Sequence, residues 1–387
     1  MIDLLVSVII LLFLARLCGA LAEIIGLSAI VGEIFAGISV GSTLFPQFTY
    51  LFTESVLLEG MADIGIIFLI FLVGLKINLK SFEKFLRTGA IIAMFGAFIP
   101  FFAGTYLGFA YFSWNPVQSL FLGGIMMASS MAIAGRMLYD CRLLNKRVGT
   151  LAIDAVLVGE LLSLLMLIFL VQLVNNSTFS LQSLAKSTVY VAVFFAAVIL
   201  LGKYISKYIE ILGKFLNLRV KEGLLSMVII LVFTLSLIAE AIGVSMVIGA
   251  FLAGLVLHER HLKKIEHEIY SMAYGLFIPL FFALLGVYVN LFEMIAMWPL
   301  LLSIFSVAVI SRLFSAYLGA RVSGMNSKNS FIISLVMTPR AEVAFIISSV
   351  ALLNGVFSSS VYSAVIGALI LTIVVVPPVF RRVVWTK

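Results

Sequence analysis

A carboxylate in the middle of an apolar helix is the group in this sequence best placed to do chemistry. The stretch Leu151–Leu170, LAIDAVLVGELLSLLMLIFL, is long enough to cross a bilayer, for which about 20 apolar residues suffice, yet it carries Asp154 near one end and Glu160 near its middle. An ionisable group at that depth is expensive and is usually turned toward a cavity or a partner, which makes Glu160 a functional candidate. The alternative reading is a Glu locked in a buried ion pair for packing alone. Low dielectric disfavours the charged form and a nearby cation favours it, so such a group can exchange a proton for a cation. One carboxylate holds either H+ or a desolvated monovalent cation. Ser163, one turn on, and Ser129 and Ser130 from another span are candidate oxygen ligands, although small hydroxyl residues also serve as packing contacts between membrane helices.

Arg340 shares the level of Glu160. With its helix starting near Lys146, Glu160 lies about 20 Å in, and Arg340 lies about 17 Å into its own helix from the same side. An arginine does not deprotonate in proteins, so Arg340 is read as an electrostatic gate or helix-end partner, with Glu342 as its counter-ion. Asp154 lies about 120° around the helix from Glu160 and about 9 Å nearer the cytoplasm, and is read either as part of a cytoplasmic funnel or as a helix-end acid. Asp63 and Glu33 are read as structural hydrogen-bonding groups, and the deep Arg312 as packing or charge balance. His258, His261 and His267 fall in one basic loop, read as solvated rather than as a pH sensor or metal site. No metal is expected beyond a transported monovalent cation, and no cofactor: the chain has no phosphate loop, nucleotide fingerprint or nucleophile motif. The expected function is therefore not enzymatic.

The elements that must position these groups follow from composition. The chain is 63% hydrophobic and 11% charged, far from the shares of about 45–50% and 25% in soluble domains. Long continuous apolar runs, rather than short alternating ones, predict an all-α polytopic membrane protein and exclude a β-barrel. About thirteen spans meet the length criterion, near 3–25, 29–42, 57–78, 88–112, 116–138, 148–174, 187–212, 222–241, 244–257, 268–289, 296–320, 329–353 and 358–380. The run from Leu4 lacks a basic leader and a cleavage site, and reads as the first span. Basic residues gather in the loops from Lys76 to Arg87, Arg136 to Arg147, Lys203 to Lys221, Arg260 to Lys264 and Arg321 to Lys328, and in the tail from Arg381; the opposite side has only Lys186. The positive-inside rule then predicts an external N-terminus and a cytoplasmic C-terminus in the cell membrane. The net charge of +7 is topological and gives no reason to expect nucleic acid. The whole chain, 1–387, reads as one transmembrane transporter domain with no soluble regulatory domain.

The chain also repeats itself. Gly26-Leu-Ser-Ala-Ile-Val-Gly-Glu-Ile-Phe-Ala-Gly37 matches Gly243-Val-Ser-Met-Val-Ile-Gly-Ala-Phe-Leu-Ala-Gly254, Gly74-Leu-Lys-Ile-Asn-Leu79 matches Gly286-Val-Tyr-Val-Asn-Leu291, and Met127–Ala134 matches Met337–Ala344. Each match pairs a span with the one seven places later. An odd step reverses direction across the membrane, so 1–174 and 222–387 read as inverted repeats joined by a linker helix at 187–212, a pattern of transporters with a midplane binding site between broken helices. The spans at 116–138 and 329–353 are the candidates for breakage. The first carries Gly123, Gly124, Ser129 and Ser130, and the second carries Thr338, Pro339, Arg340 and Glu342; Pro339 removes a backbone donor.

These runs, with GIIFLIFLVGLKINL (65–79), ASSMAIAGRMLYD (128–140), IPLFFALLGVYVNL (278–291) and TPRAEVAFI (338–346), resemble nearly the full length of the second cation:proton antiporter family, its NapA-type and Kef-type exchangers. The resemblance implies a thirteen-helix fold, a mobile core moving as an elevator, and a homodimer in the lipid bilayer. It puts Ser129 and Ser130 at the broken-helix crossover and Gly159-Glu160 at the paired polar site. There the sequence departs from the family's usual Asn-Asp, Asp-Asp or Gln-Asp, and Ala341 stands where the sodium-linked branch usually has Gly. With one titratable carboxylate at the pair, the expectation is electroneutral exchange of Na+ or Li+ for H+, with Glu160 binding both competitively. The alternatives are K+/H+ exchange and a non-transporting sensor of the same fold.

Overall fold

Backbone polar groups in a long apolar run have only each other as partners once water is excluded, and the chain meets that demand with helices. The computed structural model describes residues 2–41, 55–76, 79–143, 146–175, 222–241, 246–257 and 263–385, with residue 52 and scattered positions between 198 and 212. Among the described residues every regular element is helical. Seven helices are long and apolar enough to cross a bilayer, and three shorter apolar helices accompany them. The linker helix expected at 187–212 lies outside the described residues apart from those scattered positions, as do His258 and His261.

The helices in chain order are α1 (Ile2–Ile24), α2 (Ala29–Val40), α3 (Val56–Lys76), α4 (Leu79–Tyr106), α5 (Pro116–Met127), α6 (Met131–Asp140), α7 (Arg147–Asn175), α8 (Gly223–Ala241) and α9 (Met246–Val256). They continue as α10 (Lys263–Met272), α11 (Ile278–Val287), α12 (Leu291–Ala296), α13 (Trp298–Val322), α14 (Ser327–Val336), α15 (Glu342–Leu353) and α16 (Ser359–Trp385). Two five-residue π turns, Leu107–Tyr111 after α4 and Ala273–Phe277 between α10 and α11, loosen spans that periodicity reads as plain α-helix. The fourth span begins earlier than the apolar run at 88 suggests, because α4 carries its helix back through the charged residues Lys80, Glu83, Lys84 and Arg87.

The chain divides into two units. The first comprises Met1–Leu12, Ser55–Phe82 and Val171–Phe282; the second comprises Phe13–Glu54, Glu83–Leu170 and Ala283–Lys387. Within the first, α3 and α9 meet through glycine. A Cβ on Gly74 would run into the carbonyl of Phe251, and one on Gly254 into that of Phe71. Within the second, α2 and α11 meet in the same way, Gly286 against the carbonyl of Ile34 and Gly37 against that of Ala283. Gly249 abuts the Leu235 carbonyl in the first unit, as Gly32 abuts that of Cys18 in the second. Backbones this close leave no room for a side chain, which is the small-residue packing that membrane helices use in place of a hydrophobic driving force.

The two interrupted spans both belong to the second unit. Asn115 opens α5: its Oδ1 accepts from Gln118 N at 2.8 Å, and the Gln118 Oε1 accepts from Asn115 N at 3.4 Å, a capping box followed by Pro116 at the first helical position. The helix stops at Met127; Ala128 is extended, and α6 resumes at Met131. Asn326 caps α14 through Asn329 N at 2.8 Å. That helix stops at Val336, the segment 338–341 around Pro339 is not helical, and α15 begins at Glu342.

Candidate functional site

The break after α5 brings the candidate residues together. Ser129 and Ser130 are both buried in it. Ser130 Oγ accepts from Ile133 N at 3.4 Å and so starts α6. Ser129 Oγ is buried with no hydrogen-bond partner among the described residues. Across from it stands α7. A Cβ built on Gly159 would lie 3.4 Å from Ser129 Oγ and 4.0 Å from Met337 Cε. Glu160, the next residue, is 2% exposed. Ser163 Oγ donates to Gly159 O at 2.8 Å, which commits its proton to its own helix and leaves its lone pairs to accept.

Two arginines grip the end of α5. Arg340, wholly buried in the second break, donates from Nε (3.2 Å) and Nη2 (2.9 Å) to Met126 O, from Nη1 to Thr338 O (2.9 Å), and from Nη2 to Ala308 O (2.9 Å). Its own N–H donates to Thr372 Oγ1 at 3.3 Å. Arg312, equally buried on α13, reaches three successive carbonyls with Nη2: Met126 at 3.0 Å, Met127 at 2.6 Å and Ala128 at 2.7 Å. The last carbonyls of any helix lack internal partners and carry the negative end of the macrodipole, so buried cations here answer both needs. Arg312 Nε and Nη1 have no hydrogen-bond partner among the described residues. A Cβ on Gly96 would lie 3.6 Å from that Nη1 and 3.0 Å from Met337 Cε, so the methionine methyl lies close to both the arginine and the Gly159 side of the site.

Glu342 is buried in the first turn of α15, where a carboxylate suits the positive end of the helix. Asp154 is only partly buried, one turn and a half before Glu160; its Oδ2 has no hydrogen-bond partner among the described residues, and its Cβ closes on Gly89 of α4. Glu33 pairs with Arg16 at 3.8 Å. Sequence reasoning names Arg312 without a partner, names Met337 only as the start of a repeat match, and does not name Gly96. Backbone carbonyls carry no residue-type signal, so spacing gives no route from Arg312 to Met126–Ala128; only the rule that a buried guanidinium needs acceptors points that way.

The chain is 28% identical over 379 residues to the Na(+)/H(+)-K(+) antiporter GerN of Bacillus cereus, covering 97% of this chain and 95% of that one. It is 26% identical over 360 residues to an Na(+)/H(+) antiporter of Enterococcus hirae, covering 92% and 91%. Its fold is similar to that of the sodium proton antiporter MjNhaP1 from Methanocaldococcus jannaschii, with a TM-score of 0.70 over 99% of both chains at 16% identity. These relatives are cation/proton antiporters, which are transporters rather than enzymes. The sequence profile of the family described as sodium/hydrogen exchanger, transmembrane, matches residues 9–386, and the chain belongs to that family.

Proposed function

We propose that this chain is a secondary active transporter that exchanges Na+ or Li+ for H+, with Glu160 as the group for which the two compete. The observation that carries the reading is a carboxylate 2% exposed in the middle of α7, next to the glycine that faces the buried break of a second helix. Ser129 and Ser130 supply the break, Ser163 holds the Gly159 carbonyl, and Arg312 and Arg340 hold the end of α5. Glu342 offsets Arg340, and Asp154 lines the cytoplasmic approach. Because one carboxylate takes either ion, the buried charge is the same in both loaded forms, so exchange is one-for-one and electroneutral. Competition also sets the sign with pH: the apparent affinity for the cation falls as pH falls, since protons then occupy Glu160.

The architecture we infer is thirteen spans, with inverted repeats 1–174 and 222–387 joined by the helix 187–212. Support comes from the matched glycines: Gly74 and Gly254 in one unit answer Gly286 and Gly37 in the other, at equivalent positions of the sequence repeat. The protein works as a homodimer in the cell membrane, with its N-terminus outside and its C-terminus in the cytoplasm, and its core moves as an elevator. Potassium is the second candidate cation, favoured by the relative named as an Na(+)/H(+)-K(+) antiporter.

The test is proton movement in proteoliposomes on addition of Na+, Li+ or K+ in turn, for the parent protein beside Glu160→Gln. A cation that collapses the pH gradient with the parent and not with the variant supports antiport through Glu160 and names the ion. Collapse by both proteins, or by neither while both remain folded, overturns the reading. Glu160→Asp keeps the exchange and shifts its pH profile; an unmoved profile removes Glu160 as the proton site.

A further inference from the structure

A buried hydroxyl without a partner is costly unless something fills its vacancy. Among the described residues Ser129 Oγ is such a group, and what it meets is Gly159 of α7, a position with no side chain. A Cβ there would stand at 3.4 Å, an ordinary contact, so the space over Gly159 could take a side chain and the sequence leaves it free. The far side is closed by the Met337 thioether methyl, and thioethers suit soft metals rather than alkali cations. The nearby carbonyls of Met126, Met127 and Ala128 are taken up by two guanidinium groups, whose positive charge makes them poor cation ligands. Ser163 donates its proton to Gly159 O and keeps its lone pairs for a cation. Beside its carboxylate, a cation on Glu160 is therefore offered little more than the hydroxyl oxygens of Ser129 and Ser163.

Building on the antiport reading above, we propose that the recess over Gly159 is a subsite for a partly hydrated monovalent cation. One water of the cation sits above Gly159 and links it to Ser129 Oγ. The water takes the place of the polar side chain that position 159 lacks, and a water-mediated contact is nearly as favourable as a direct one. It also gives the unpartnered hydroxyl its hydrogen bond. Gly159 is thus a specificity-determining position that acts through hydration.

The experiment compares the Na+ and Li+ dependence of exchange in proteoliposomes for the parent, Gly159→Ala, Gly159→Ser, Ser129→Ala and the Gly159→Ala/Ser129→Ala double variant. The Ala methyl at 159 displaces the water, so KM for the cation rises about tenfold while the rate at saturation falls less than about threefold. Gly159→Ser brings an oxygen back to the same place and returns KM to within about threefold of the parent. The double variant is no worse than either single one, because both remove the same link. An unchanged KM in Gly159→Ala, equal behaviour of the Ala and Ser variants, or multiplied effects in the double variant would each overturn the subsite. Those outcomes leave antiport standing. A parent that exchanges no cation instead removes the reading on which the subsite rests.

Discussion

The two units share a manner of helix packing and differ in where they keep charge. In the first, Gly74 and Gly254 let α3 and α9 touch backbone to backbone, and in the second Gly37 and Gly286 do the same for α2 and α11. Yet among the described residues every buried charged side chain, Glu33, Glu160, Arg312, Arg340 and Glu342, belongs to the second unit. The buried polar side chains of the first are Ser7, Gln172 and Ser236. Glycine seams stabilise by dispersion and close contact and ask nothing of the solvent. Buried ions are tolerated only where acceptors, donors or cargo compensate them. The two units therefore share their packing, and the buried charge lies in one of them.

That contrast is broken most severely at the charges. Glu160→Gln keeps the size of the side chain and removes the one titratable group in the middle of α7, so exchange falls by at least about 100-fold, the equivalent of nearly 3 kcal/mol. Vesicle exchange measures it, with an unchanged unfolding midpoint in detergent as the control. Arg312→Met comes next. It leaves the three carbonyls Met126, Met127 and Ala128 without the Arg312 donor, and Arg340 reaches only the first of them. A loss of about 2–4 kcal/mol in stability follows, read as a fall in the thermal unfolding midpoint. Arg312→Lys recovers part of that loss, since an ammonium can still donate but lacks the planar fork.

The seams sharpen the comparison because they predict equal costs in both units. Gly254→Ala and Gly37→Ala each force a methyl into a backbone carbonyl, of Phe71 and of Ala283 respectively. Each destabilises by about 1–3 kcal/mol, the range for overpacked interiors. Gly60→Ala on α3 is the control, for a Cβ there meets nothing within 4 Å; it gains up to about 1 kcal/mol from helix propensity. Unfolding midpoints of the three variants decide it. A loss confined to one unit's variant would mean that the matched glycines no longer do matched work.

Much of this was legible in the sequence where a residue type carries the physics. The helical class follows from apolar run length and the interruption near Pro339 from a missing backbone donor; the glycines show in the sequence as a repeat, and the structure shows that they meet as seams. Glu160 stood out because a carboxylate in an apolar run has few innocent explanations. The rest was written in the backbone. The partners of Arg312 are carbonyls far away in the chain, and any residue type has a carbonyl. The π turns at 107–111 and 273–277 shift the register of two spans through one extra residue per turn, which an apolar run does not report. Met337 next to Gly159 is likewise a contact between two residues that look like ordinary membrane packing.

The smallest effect is expected where an arginine looks, on paper, much like Arg312. Arg136 on α6 pairs with Glu23 at 3.3 Å and also reaches Leu27 O, in the connection between α1 and α2, at 3.4 Å, so it too reaches a backbone carbonyl. The difference is water. The side chains of Arg136 and Glu23 are 39% and 56% exposed, so solvent competes for both and salt screens the pair. Glu23→Gln therefore lowers stability by no more than about 1 kcal/mol, and the difference from the parent shrinks further at high ionic strength. Unfolding midpoints at low and high salt measure it. A loss as large as that of Arg312→Met would show that exposure does not separate the two sites, and that the ion pair and carbonyl contact matter more than the medium around them.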